Sequence, residues 1–167
     1  MTVLLASCYG VWHLQEYRLG KRYGEEIETS AAEHLKIRGD LEAKLNAATA
    51  AEGAGVTRAF AVGIDTLAAE ERWQEVDAAV LELLELPGVD FVHVLDTDGG
   101  VLVSSDRKLL ATGQAGPEAS WVLGAEGLVQ QVRGSDGRGH DYSMPVAGGD
   151  AYLWLGYSLR PSQDPSP

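Results

Sequence analysis

The stretch "VLDTDGGVLVSSD", residues 94–106, decides the fold. It is apolar, then acidic and glycine-rich, then apolar again, and it stops abruptly on Ser-Ser-Asp. Two short β-prone runs around Asp98-Gly99 predict an antiparallel hairpin closed by a tight turn. In that reading Val94 and Leu102 point into the core, and Asp98 and Gly99 form an exposed turn. Other chemistries fit less well. In an EF-hand, Asp96 and Asp98 would take the first and third positions, but the sixth is Val101 where Gly is needed and the twelfth is Arg107 where Glu is needed. As a phospho-acceptor, Asp96 lacks an acidic pair and a partner Lys in a parallel α/β layout. Ser104 and Ser105 lack the G-x-S-x-G elbow of a hydrolase. The four histidines, His13, His34, His93 and His140, are not at zinc-ligand spacing. The residues therefore predict no catalytic group, no metal and no cofactor, and Asp96 and Asp98 read as residues that cap the turn backbone.

Upstream, "VDFVHVLD" (residues 89–96) is β-branched and apolar, as a buried strand should be. Before it, Pro87 and Gly88 terminate a helix marked by Trp73, Val76, Val80 and Leu83. An earlier helical run carries Val56, Phe60, Ile64 and Leu67, and "AEGAG" (residues 51–55) predicts a kink or break before it. Farther back, Tyr23, Ile27, Ala31 and Leu35 recur at helical spacing, and Leu41, Leu45 and Ala48 continue the stripe. A helix this long cannot bury its stripe on one small domain, so a parallel homodimer through Tyr23 to Ala48 is expected. Residues 1–15 carry no full charge, yet fall short of the roughly 20 apolar residues of a membrane span. They read either as the end of a truncated membrane anchor or as the start of a buried helix.

Downstream, "RKLLATG" (residues 107–113) predicts a short turn or helix ending at Gly113. Residues 119–132 begin as a helix and end as strand. "GSDGRG" (residues 134–139) is a turn, "HDYSMPV" (residues 140–146) a strand, "AGGD" (residues 147–150) a second turn and "AYLWLGYSL" (residues 151–159) the last strand. The Pro/Ser-rich residues 161–167 read as a disordered tail. The chain thus divides into 1–15, helices over 16–86, a sheet over 87–160 and the tail. Its class is α+β, with a long N-terminal helical region, an antiparallel sheet and a short helical crossover.

Composition narrows the partners. The 167 residues carry a formal charge of −12, which opposes nucleic acid and anionic lipid surfaces, since both need clustered Lys and Arg. One cysteine, Cys8, excludes an internal disulfide framework.

The segment "LLELPGVDFVHVLDTDGGVLVSSDRKLLATG", followed by "HDYSMPVAGGDAYLWLGYSL", resembles a Cache domain, the extracytoplasmic PAS-like sensor module of bacterial receptors. The likeness rests on the Pro-Gly stop, the Asp-x-x-Gly hairpin, the Ser-Asp stop, the strand running into Pro-Val and the final "LGYSL" strand. It implies a periplasmic, membrane-anchored domain that binds a small ligand over its sheet and signals to a kinase, chemoreceptor or cyclase. Two alternatives stand beside it. One is a roadblock-like cytoplasmic dimer that scaffolds a small GTPase, which shares the hairpin but would carry a long helix where "AYLWLGYSL" and the tail stand. The other is the same fold used for structure or interaction without a ligand.

Cache domains that sense di- and tricarboxylates carry Arg and His near the Ser of the second strand, and Arg four residues before the strand proline. Here the second strand reads "LVSSD", and Asp141 precedes Pro145 by four. The reversal of charge predicts a cationic or zwitterionic ligand, held by Asp141, Ser143, Ser104 and Tyr142 with Trp121 as a wall. Strand alternation puts Asp141 and Ser143 on one face and Tyr142 on the other, so Tyr142 needs a twist to join them. Trp154 reads as a second wall or as core, and Asp141 has a structural alternative in pairing with Arg138.

Overall fold

The computed structural model describes residues 2–134 and 138–158. The expected tail at 161–167 lies outside them, as do residues 135–137 of the glycine-rich turn. The chain divides into two units, residues 1–45 and 46–167. Helix α1, Thr2–Ala69, contributes to both.

In the first unit α1 is solvent-facing wherever its side chains are described. Leu35, Leu41 and Leu45 are 70%, 66% and 52% exposed, and Arg38 Nε donates to Glu42 Oε1 one turn on at 3.0 Å. The stripe expected from Tyr23 and Ile27 begins outside the described side chains. Among the described residues no helix is long and apolar enough to cross a membrane.

The second unit holds the end of α1, helix α2 (Trp73–Leu84), strands β1 (Val89–Asp96) and β2 (Val101–Ser104), helix α3 (Arg107–Thr112), and strands β3 (Val129–Arg133), β4 (Gly139–Val146) and β5 (Ala151–Ser158). The five strands form one sheet in the order β2-β1-β5-β4-β3, and every pairing is antiparallel. The α+β class is as expected. The last strand in sequence, β5, lies at the centre and joins the β1–β2 hairpin to the β3–β4 hairpin. Pro145 is tolerated in β4 because the β3 register ends at Val129–Ser143, so no ladder bond is lost on that side.

Alternation divides the strands into two faces. Val92, Val94, Val103, Leu153 and Leu155 pack beneath Ile64 and Ala68 of α1 and Val76, Val80 and Leu83 of α2. Each such aliphatic side chain contributes about 1.5–3 kcal/mol relative to exposure. On the opposite face Leu95 and Trp154 meet Ala119 and Val122 from the connection between α3 and β3.

Three local expectations change. The break at residues 51–55 is absent, because α1 continues through it. Gly53 instead forms a seat for the Tyr142 ring: a Cβ there would approach Tyr142 Cε2 to 2.6 Å. Tyr142 Oη donates to Ala50 O at 2.9 Å, and Thr57 Oγ1 donates back to Gly53 O at 2.8 Å. The helix expected from residue 119 is a single 3-10 turn at Pro117–Ala119 followed by turns, since Gly124 takes a φ of 79°. In the hairpin Val94 is fully buried and Asp98 exposed, but Leu102 is only half-buried and Gly99 is buried. Gly99 O accepts from Ala115 N at 2.9 Å, so the α3–β3 connection covers the turn.

The Ser-Ser-Asp stop is a strand-to-helix junction. Ser105 Oγ accepts from Val92 N at 3.0 Å, extending the ladder by one side-chain bond. Asp106 caps α3 by accepting from Lys108 N at 2.8 Å, and Gly113 closes the helix in the left-handed region.

Candidate functional site

The face of the sheet away from α1 and α2 carries an open cavity of about 520 Å³, lined among others by Phe91, His93, Trp121, Arg133, Asp141 and Trp154. The register explains this grouping. His93 pairs with Trp154, Gly156 with both Phe91 and Asp141, and Gln131 with Asp141. Directly paired residues of antiparallel strands share a face, so β1, β5, β4 and β3 each send side chains to one place.

The aromatic wall has defined angles. Phe91 and His93 stack at 4.8 Å, whereas Phe91, His93 and Trp121 all meet Trp154 edge-on, at 5.3, 5.4 and 6.2 Å. Such edge-to-face contacts contribute about 0.5–1.5 kcal/mol each beyond burial. Gly156 lies beneath this wall, and a Cβ there would run into the Phe91 ring and the Arg133 guanidinium.

Among the described residues one guanidinium, Arg133, and the acids Asp106, Glu118 and Asp141 line the cavity with His93. Arg133 lies over the Phe91 ring at 5.1 Å, is hydrogen-bonded to Asp90, and approaches Asp141 Oδ1 with Nε at 3.5 Å. The Asp141 side chain is 13% exposed. Neither its Oδ1 nor the buried Trp154 Nε1 has a hydrogen-bond partner. Burial pushes the Asp141 carboxyl up. Arg133 opposes that shift, and so does the neighbouring Trp154 indole N–H.

His93 is held neutral. Burial lowers its imidazole to about 4, against the pull of Asp106. Its Nδ1 lies 2.9 Å from Ser104 Oγ, which also donates to Asp106 O at 2.9 Å. Ser104 is fully buried, so this Ser-His contact offers no accessible nucleophile and serves to orient the ring.

Of the residues expected at the site, the structure brings Asp141 and Trp121 together at the cavity. Ser143 lies on the same face, but its Oγ donates to Val122 O at 3.0 Å and anchors the covering segment. Ser104 lies beneath the wall behind His93. Tyr142 is on the other face, bonded to α1, because no twist or bulge interrupts the β4 alternation. The base beside Asp141 is Arg133, delivered by the β3–β4 hairpin. Sequence reasoning missed Phe91, His93 and Arg133. Period-two alternation in "VDFVHVLD" was the available signal for the first two, and hairpin register across residues 134–139 for the third. Among the described residues no group of three or more His, Cys, Asp or Glu side chains could hold a metal ion. No protein-family model matches the chain, and no curated protein matches it.

Proposed function

We propose that the chain is a small-molecule sensing domain of a membrane-linked signalling receptor, with its ligand bound in the cavity on the open face of the sheet. The ligand is a small cation or zwitterion, and the setting is periplasmic or otherwise extracytoplasmic. The observation that carries the reading is the largely enclosed Asp141 carboxylate, whose Oδ1 has no hydrogen-bond partner and only Arg133 Nε nearby at 3.5 Å, in a cavity with an aromatic wall. A carboxylate ligand would face Asp106, Glu118 and Asp141, against a single Arg133 already engaged by Asp90. The step from Asp141 to Tyr142 crosses the sheet, so a ligand at the cavity is one residue from a contact with α1. Homodimerisation through α1 accords with the exposed Leu35, Leu41 and Leu45.

The test is a thermal-shift screen of primary amines, amino acids and dicarboxylates. A ligand at 100 times its dissociation constant stabilises by about 2.7 kcal/mol. Amines or amino acids should raise the melting temperature, and Asp141→Asn should abolish the rise. Stabilisation by dicarboxylates alone would overturn the reading.

A further inference from the structure

The cavity's geometry separates two kinds of cation. A primary ammonium leaving water needs acceptors for three N–H groups, and each one left unmet is costly. The buried acceptors here are largely committed. Ser104 serves Asp106 and His93, and Asp141 Oδ1 faces Arg133 Nε at 3.5 Å. Among the described residues the further side-chain acceptors, Asp106, Glu118 and Gln131, are exposed at the rim, where water competes for them.

The half-buried Trp121 ring, by contrast, lies at the cavity beside Trp154. Trp121 and Trp154 meet at 86°, and Phe91 and Trp154 at 84°, so two corners of near-perpendicular rings share Trp154. Arg133 already shows that this wall takes a weakly hydrated cation on a ring face, at 5.1 Å above Phe91. A nitrogen carrying methyl groups shares the weak hydration and spread charge but brings few or no N–H donors, so a ring face and a nearby carboxylate meet its needs.

Resting on the sensing reading above, we propose that the ligand is a methylated ammonium compound, with its charged nitrogen in the aromatic corner of Trp121 and Trp154 and Asp141 as the counter-charge. Trp121 then determines specificity, and Asp141 determines the sign of charge accepted.

The experiment is calorimetric titration of the full chain with five probes: tetramethylammonium, choline, N,N,N-trimethylglycine, glycine and 3,3-dimethylbutanol, the uncharged carbon analogue of choline. At least one methylated probe should bind about tenfold or more tighter than glycine and the carbon analogue. Trp121→Leu should lose about tenfold for the methylated probe, and Trp121→Phe should recover part of that loss. Far-ultraviolet circular dichroism establishes that both variants are folded. Glycine binding as tightly as the methylated probes would overturn the methylated class and leave cation sensing intact. Equal binding of the carbon analogue would reduce the corner to an apolar pocket and overturn the proposal. No binding of these probes, or of the amines and amino acids screened above, would overturn the proposal together with the reading it rests on.

Discussion

The two faces of the sheet are built from the same strands, yet they do opposite things. Under α1 and α2, Val92, Val94, Val103, Leu153 and Leu155 are all at most 2% exposed. The Tyr142 hydroxyl buried among them is satisfied by Ala50 O. On the other face the alternate positions hold Phe91, His93, Asp141 and Trp154, with a depressed imidazole, a raised carboxyl and two polar atoms lacking partners. A sheet stabilised on one face can carry such groups on the other, because the closed face supplies the stability that the open face gives up. Among the described residues two of the three buried polar atoms without a hydrogen-bond partner, Asp141 Oδ1 and Trp154 Nε1, lie on the open face, and the third, His140 Nε2, lies on the Tyr142 side of β4. Unpaired and shifted groups gathered around a cavity point to a binding face.

This division can be broken most severely from the closed side. Leu153→Ala removes a fully buried side chain at the centre of the sheet and should cost about 2–5 kcal/mol in urea unfolding. An effect below about 1 kcal/mol would mean that the face is loosely packed.

The open face should respond next, and to acid. The unfolded chain protonates His93 below its ordinary value of 6.5, whereas the folded chain resists until about 4. Between those values the unfolded state binds more protons, so stability falls as pH drops from 6.5 to 4, by up to about 3 kcal/mol. His93→Gln should flatten that slope. An unchanged slope would move the acid sensitivity elsewhere.

Gly156→Val forces Phe91 and Arg133 off the sheet and should destabilise by about 1–3 kcal/mol. It should also weaken any ligand bound in the cavity. The smallest effect is expected at Asp141. Its carboxyl is raised in the folded state, so the stability tied to its neutral form is present below the ordinary carboxylate range and is lost as pH rises. Asp141→Asn should therefore give a small stability gain at neutral pH that disappears in acid. A loss at neutral pH would show that the Arg133 pair outweighs burial.

The hairpin at residues 94–106, the Pro-Gly stop, α3 and the last two strands were legible because each rests on local chemistry: a β-branched run, a turn dipeptide, a cap. The continuity of α1 was not, because Gly53 looks like a breaker until Tyr142, 89 positions later, is seen to occupy the space it leaves. The site was legible only in part for the same reason. Asp141 stands out through a local motif, whereas Arg133, Phe91 and His93 join it through β5 pairing with both β1 and β4, a long-range fact that no local pattern encodes. Tyr142 was drawn toward the site by proximity in sequence, and alternation along β4 sends it to the other face.

Binding on the open face is tested most directly by nitrogen-15 NMR of the indole N–H groups during titration with tetramethylammonium. The resonances of Trp121 and Trp154 and the β4 amides around Asp141 should move together along one saturable curve, while Trp73, on α2 against the closed face, stays still. Saturable shifts at Trp73 with Trp121 and Trp154 unmoved would contradict the assignment of the cavity as the site.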